Sequence, residues 1–424
     1  MTAQTSSASD PFNKALADWR EGRFAVALAG LRRATKGGDA GCASLLLQLS
    51  AEPVAPSNAR AAAARAVLAA PAAPQQCRHA AFLRASGYGM DADPASALTQ
   101  RLAQARAGDA LAMTEIALLS ALGDNAVTRG EDGPDPVRTQ LETAAAAGSA
   151  AATAALMRLG LERGALSPVA RRQADALGRS GHPLAASLIP AAIALPDAAA
   201  SRAQATDDSW PAAEDLVATI LNLPPQSRSE TLNQTPRMAR WTGFLPAILC
   251  DYLITAATPL LNPARIFDPE TGQARPDPYR QSLTAALPDG AMDLVLWAIK
   301  LRMAGLAGAR YDQGEPLAVL IYRPGEQYRP HVDYLSEDGG SASANLARRG
   351  QRLATSLVRL NHEFTGGDTV FPRLDQRWTG QRGDALQFDN TDADGRGDPM
   401  TLHAGEPVNS GMKILASLWL RERA

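Results

Sequence analysis

Tyr322–Asp333 reads Y-R-P-G-E-Q-Y-R-P-H-V-D and sets an imidazole, His331, two residues before a carboxylate, Asp333. On an extended strand, residues i and i+2 point to the same face. Both side chains can therefore reach one metal ion. Far downstream, His403 stands in T-L-H-A-G-E-P-V, and Lys413 follows ten residues later. Two imidazoles and one carboxylate on one side of a metal leave its other positions open, the donor pattern of non-haem Fe(II) centres. H-x-D alone is a weak signal, because so short a pattern arises often by chance. Its weight comes from the rest of the chain.

The 424 residues are enough for two or three domains, and a hydrophobic fraction of 46% provides ample core. The formal charge of -2 argues against nucleic acid as a bulk electrostatic partner. Cys42, Cys77 and Cys250 are odd in number and far apart, which fits free thiols in a reducing compartment. The N-terminus lacks a basic segment followed by an apolar core, and no apolar run reaches membrane-spanning length. These features predict a cytoplasmic protein with neither nucleic acid nor membrane as partner. They leave the oligomeric state open.

Residues 1–12 read as a polar, disordered start. From there to about residue 200 the chain is rich in alanine and leucine at helical spacing, as in Trp19, Phe24, Leu28 and Leu31. Glycine-led anchors recur at Gly38, Gly108, Gly148 and Gly181, 70, 40 and 33 residues apart. The first interval is twice 35, which predicts a degenerate copy near residue 73 and two helices per unit. This pattern resembles Sel1-like or tetratricopeptide repeats over 13–200, implying an α-solenoid with a concave surface. Such a surface can dock a protein substrate, or the array can simply pack on the second half. Cys77-x-His79 lacks a second pair at zinc-site spacing and reads as a buried thiol beside a partly exposed imidazole. Residues 201–235 read as a linker with one short helix, about Ala213 to Leu221.

From about Trp241 two apolar helices precede short β-prone runs separated by Gly, Pro and Asp, the grammar of a sandwich or barrel. Residues 240–424 resemble the prolyl 4-hydroxylase family of Fe(II)/2-oxoglutarate dioxygenases. The matching pieces are colinear: F-L-P-A-I-L-C-D-Y-L-I, Y-R-Q-S, Y-R-P-G-E-Q-Y-R-P-H-V-D-Y, G-Q-R-L-A-T-S-L-V-R-L-N, F-T-G-G-D-T-V-F-P, G-D-A-L-Q-F-D-N, L-H-A-G-E-P-V and G-M-K-I-L-A-S-L-W-L-R. The resemblance implies a double-stranded β-helix, a jelly-roll variant, over 236–424, buttressed by helices.

It also implies roles. His331, Asp333 and His403 hold Fe(II), and Asp333 favours hydroxylation over halogenation. Lys413 meets the far carboxylate of the cosubstrate 2-oxoglutarate, because a buried ammonium needs a partner charge. Tyr322 hydrogen-bonds the cosubstrate, Thr369 lines its pocket and Trp419 walls it. O2 is the second cosubstrate, and ascorbate is a reductant to test. One departure stands out: Arg359 occupies the place where the family commonly carries tyrosine, in R-L-N. Alternation puts Thr355, Leu357 and Arg359 on one face, which can look inward or outward. Leu335–Arg349 is Gly/Ser-rich and reads as a lid. The expected activity is hydroxylation of a peptidyl residue, proline first, with the helices docking the target. The alternatives are a hydroxylase of a free amino acid or small peptide-like metabolite, and a repeat scaffold carrying a degenerate dioxygenase domain.

Overall fold

The computed structural model describes residues 10–52, 54–71, 73–123, 135–199, 210–222, 229–267, 274–276, 281–335 and 346–424. Most of the segment read as a lid, 336–345, lies outside the described residues, as do 1–9 of the segment read as a disordered start. Pro11 and Phe12, placed in that start, instead open the first helix, where the Asp10 carboxylate accepts from the Phe12 amide at 3.2 Å.

The first half is helical: α1 (Pro11–Arg20), α2 (Phe24–Lys36), α3 (Ala40–Ser50), α4 (Ala59–Leu68), α5 (Pro74–Ser86), α6 (Pro94–Arg106), α7 (Ala110–Ser120), α8 (Pro136–Ala146), α9 (Ala150–Arg163), α10 (Pro168–Arg172), α11 (Ala174–Arg179) and α12 (Ala185–Ile193). Three of the glycine anchors are one kind of turn. Gly38, Gly108 and Gly148 have φ of +97°, +94° and +95°, a region open to glycine at little cost. The next residue donates its amide to a carbonyl five back and then caps the following helix. Asp39 does so to Ala34, Asp109 to Gln104 and Ser149 to Ala144. The fourth anchor, Gly181, lacks this cap, and the copy expected near 73 has no glycine turn; α5 begins there on Pro74. His79 is buried rather than partly exposed, with Nε2 3.2 Å from the Ser44 hydroxyl. All three cysteines are free and buried, and burial pushes the Cys42 thiol up to about 12.

Helix α13 (Ala213–Leu221) falls where the sequence placed it. Then come β1 (Ser229–Gln234), β2 (Arg237–Trp241), α14 (Ala247–Ala257), β3 (Asn262–Pro263), β4 (Arg265–Phe267), β5 (Ala274–Pro276), β6 (Leu283–Ala286) and α15 (Leu294–Leu306). The remaining strands are β7 (Ala318–Tyr322), β8 (Tyr328–His331), β9 (Arg352–Arg359), β10 (Phe364–Gly366), β11 (Thr369–Phe371), β12 (Gln376–Trp378), β13 (Ala385–Asp389), β14 (His403–Gly405), β15 (Val408–Gly411) and β16 (Lys413–Arg421). Strand β1 lies inside the segment read as linker. Its polar sequence, S-E-T-L-N-Q, carries little strand signal because it is a half-exposed edge paired only to β2.

An eight-stranded antiparallel sheet, β1-β2-β13-β9-β16-β7-β6-β3, faces a four-stranded one, β12-β11-β14-β8, in the manner of a jelly roll. The large sheet is buried on both sides, so its central strands are apolar at nearly every position. Val319, Ile321, Val358, Ala416 and Leu418 belong to the core shared with the helices. Leu320, Tyr322, Leu357 and Leu415 belong to a second core between the sheets, with Phe371, Trp378 and Phe388. Helix α15 lies under β9 and β16 and touches α5, α7 and α13 on its other sides. It is accordingly buried nearly all round.

Two buried ion networks tie the halves together. Arg78 of α5 donates to Glu115 of α7 at 2.8 Å, to the Tyr252 hydroxyl of α14 and to Asp293, which caps α15. Asp251 of α14 accepts from Arg158 of α9 at 2.7 Å and from Arg382 of the barrel at 2.7 Å. Glu115 also pairs with Arg101 at 2.9 Å, but Arg78 is the cation bonded to the fully buried Asp293, and its removal leaves that carboxylate uncompensated. An Arg78→Met variant is expected to lose about 3–5 kcal/mol of stability, read from urea unfolding. A loss below 1 kcal/mol would show that the network does not join the halves energetically.

Candidate active site

His331 ends β8 and His403 begins β14, and the two are paired directly across these antiparallel strands. Asp333 sits just past the end of β8 rather than on it, yet the turn keeps its carboxylate on the same side. Asp333 Oδ1 is 3.6 Å from His331 Nε2, and Oδ2 is 3.7 Å from His403 Nε2. One ligand atom from each of the three residues lies within 4.8 Å of the others.

The surroundings fix which atoms are offered. His331 Nδ1 lies 2.8 Å from the Arg329 carbonyl, and His403 Nδ1 lies 2.9 Å from the Thr401 carbonyl. A carbonyl can only accept, so each Nδ1 carries the proton and each Nε2 lone pair faces the shared point. Tyr328 stacks on His331 with ring centroids 3.5 Å apart, and Phe371 and Phe388 bracket His403 at 5.3 and 5.0 Å. Burial alone would raise the Asp333 carboxyl. The facing imidazoles, Arg352 and a hydrogen bond from Thr355 outweigh it and hold Asp333 below the usual carboxylate range.

Sequence reasoning gave neither Thr355, grouped with Leu357 and Arg359 by alternation, nor Asn390 a part in the site. Asn390 donates its side-chain amide to the Thr355 hydroxyl at 2.9 Å, and that hydroxyl donates to Asp333 Oδ2 at 2.7 Å. The alternation along T-S-L-V-R could have flagged Thr355, since it shares a face with Arg359. Nothing local marks Asn390. Outer partners of metal ligands are worth about 10–100-fold in affinity. A Thr355→Val variant, close in shape, is expected to weaken Fe(II) binding by that factor, measured by chelator competition. Unchanged affinity would reduce Thr355 to packing.

All seven candidate residues line one cavity between the sheets: His331, Asp333, His403, Tyr322, Thr369, Lys413 and Trp419. Lys413 projects inward from the start of β16, 2% exposed, with Nζ 5.3 Å from the centre of the Tyr322 ring. Among the described residues no carboxylate pairs with it. Burial, and then Arg359, pull its ammonium down to about 7. At the other end, the Arg352 guanidinium lies 3.9 Å over the Trp419 ring and grips Glu315 with two bonds, 2.8 and 2.9 Å. The Trp419 indole N–H is buried with no hydrogen-bond partner among the described residues. His362 is exposed, outside the cavity.

The donor set fits Fe(II): two imidazole Nε2 atoms and a carboxylate, each oriented by a second bond. The buried ammonium, which feels Asp368 and Glu406 but is bonded to no carboxylate among the described residues, fits a dicarboxylate that reaches inward from the metal.

Residues 317–421 match the 2OG-Fe(II) oxygenase superfamily. Prolyl 4-hydroxylase 1 of Arabidopsis thaliana is 32% identical over 211 residues, covering 46% of this chain and 73% of that protein. Prolyl 4-hydroxylase subunit alpha-1 of Rattus norvegicus is 35% identical over 188 residues, covering 44% of this chain but 35% of the rat subunit. Among solved structures, a viral collagen prolyl hydroxylase from Paramecium Bursaria Chlorella virus-1, in complex with 2OG, covers 43% of this chain and 95% of its own at 28% identity and TM-score 0.34. The superfamily match and these relatives define a 2-oxoglutarate-dependent oxygenase, using Fe(II) and 2-oxoglutarate, and the His331–Asp333–His403 cluster fits that class. Within that class the chain belongs to the prolyl 4-hydroxylase family.

Proposed function

We propose that this protein hydroxylates a peptidyl residue, proline first, at the cavity between its two sheets. The observation that carries this is the joining, in one cavity, of the His331–Asp333–His403 cluster with the unpaired Lys413 ammonium. His331, Asp333 and His403 hold Fe(II), and bound Fe(II) with 2-oxoglutarate and O2 supplies the oxidising power for C–H hydroxylation. Lys413 anchors the cosubstrate, with Tyr322 and Thr369 beside it. The apolar walls from Leu320, Leu357 and Leu415 keep water out.

The expected docking role of the helices is narrower on this geometry. Every residue lining the site cavity comes from the barrel half. A larger cleft, about 850 Å³, lies where α9, α14 and the loop holding Glu363 and Arg382 meet, and it shares no lining residue with the site. In our reading 13–200 is a helical buttress and the catalytic part begins at Ser229. The compact cavity also favours a second reading, hydroxylation of a free amino acid or short peptide. The test is succinate formation from 2-oxoglutarate with Fe(II), ascorbate and O2, with proline-containing peptides against free proline. Peptide-stimulated turnover and an oxygen atom added to proline, found by mass spectrometry, are expected. Stimulation by the free amino acid alone would move the substrate to the second class.

A further inference from the structure

Arg359 lies on the inner face of β9. It is paired across to Leu415 of β16, and Leu357 before it lines the site cavity. Lys413, two residues before Leu415 on the same face of β16, is therefore its diagonal neighbour. The side chain is fully buried. Its guanidinium sits 5.0 Å from the Phe364 ring and 5.1 Å from the Trp378 ring, and Nη2 donates to the Thr379 carbonyl. Among the described residues, Nε and Nη1 have no hydrogen-bond partner. The two carboxylates that act on it electrostatically are committed elsewhere. Asp368 is held by Arg377 at 2.8 Å, and Asp384 accepts the amides of Gly243 and Gln381. Two buried basic side chains thus hold diagonal positions on neighbouring strands, Lys413 in the lining of the site cavity and Arg359 next to that lining, with no carboxylate bonded to either among the described residues.

A buried guanidinium with two idle donors is costly unless an anion completes it. Guanidinium groups bind carboxylates through paired, charge-assisted bonds. We infer that Arg359 is a second anchor for the distal carboxylate of 2-oxoglutarate, sharing it with Lys413, so that this chain holds its cosubstrate with two cations. This rests on the proposed function and assigns a binding role to the residue where the chain departs from its family's tyrosine. The two-cation site selects dicarboxylates over monocarboxylate 2-oxo acids, and the incoming anion relieves the repulsion between the cations.

The test is calorimetric binding to the Zn(II)-loaded full chain, where no turnover intervenes. Wild type, Arg359→Gln, Arg359→Lys and Lys413→Met are titrated with 2-oxoglutarate and with 2-oxobutyrate, which lacks the distal carboxylate. The inference expects Arg359→Gln to weaken 2-oxoglutarate by about 10- to 100-fold, with partial rescue in Arg359→Lys and no change for 2-oxobutyrate. Should the glutamine variant not fold, wild-type NMR decides. The Arg359 Nε–H resonance should shift with 2-oxoglutarate and stay still with 2-oxobutyrate. Normal 2-oxoglutarate affinity in Arg359→Gln beside a weakened Lys413→Met, or an unmoved resonance in a saturated wild type, overturns the Arg359 role and leaves the oxygenase reading intact. No binding by wild type overturns the oxygenase reading itself.

Discussion

Lys413→Met is expected to melt above the wild type when both are ligand-free, and below it when 2-oxoglutarate is present. The ammonium is 2% exposed and unpaired, so the ligand-free fold carries its desolvation. An apolar chain of similar length removes the penalty of a buried, unsatisfied polar group, about 1–3 kcal/mol and more for a charged one. The same change removes the cosubstrate's counter-charge. At a ligand concentration 100 times its Kd the wild type gains about 2.7 kcal/mol from binding, and the variant gains almost none. The sign with pH follows from the displaced proton. Folding pulls Lys413 down to about 7 from 10.5, so the unfolded chain binds more protons between those values. The ligand-free wild type therefore gains stability as pH rises across that window, and the variant lacks this slope. Binding a carboxylate restores the proton, so 2-oxoglutarate affinity is fullest below about pH 7 and declines above it. Scanning calorimetry of both proteins at two pH values, with and without 2-oxoglutarate, reads all of this. A variant that melts lower in every condition would make Lys413 a structural residue.

His331→Ala is expected to reduce succinate formation to background and to leave the purified protein without Fe(II). Outer-shell changes at metal sites cost about 10–100-fold, and loss of one of three direct ligands exceeds that. His331 suits the test because it ends a strand and its side chain is 16% exposed, so its removal opens little cavity. Near-normal iron content with near-normal turnover would exclude the cluster as the metal centre. Iron retained without any turnover in the wild type would revive the scaffold reading.

Most of the barrel was legible because its segments alternate or run apolar between glycine and proline punctuation. The H-x-D pair, His403 and Lys413 needed only spacing and order. What spacing left open was orientation. Thr355, Leu357 and Arg359 share a face by alternation, but period two cannot say which face looks inward on a sheet buried on both sides. The Thr355 bond to Asp333 settles it. Asn390 was out of reach because its partner lies on another strand. Strand β1 was missed because an exposed edge has no apolar demand. In the helical half, the glycine anchors at Gly38, Gly108 and Gly148 share one turn, whereas alanine recurs so freely that the same reading was extended to Gly181 and to residue 73, which do not have it.

Helix α15 gives the architecture a practical consequence. Its apolar surface is divided between the catalytic sheet and helices from the first half, so neither side owns it. A fragment cut at Ser229 keeps every site residue but strips α15 of the cover it receives from α5, α7 and α13. Such a piece would come out of an expression host as inclusion bodies rather than as a minimal enzyme. In the intact chain, a mutation as distant as α5 or α7 will shorten the working lifetime of the catalyst without touching its chemistry.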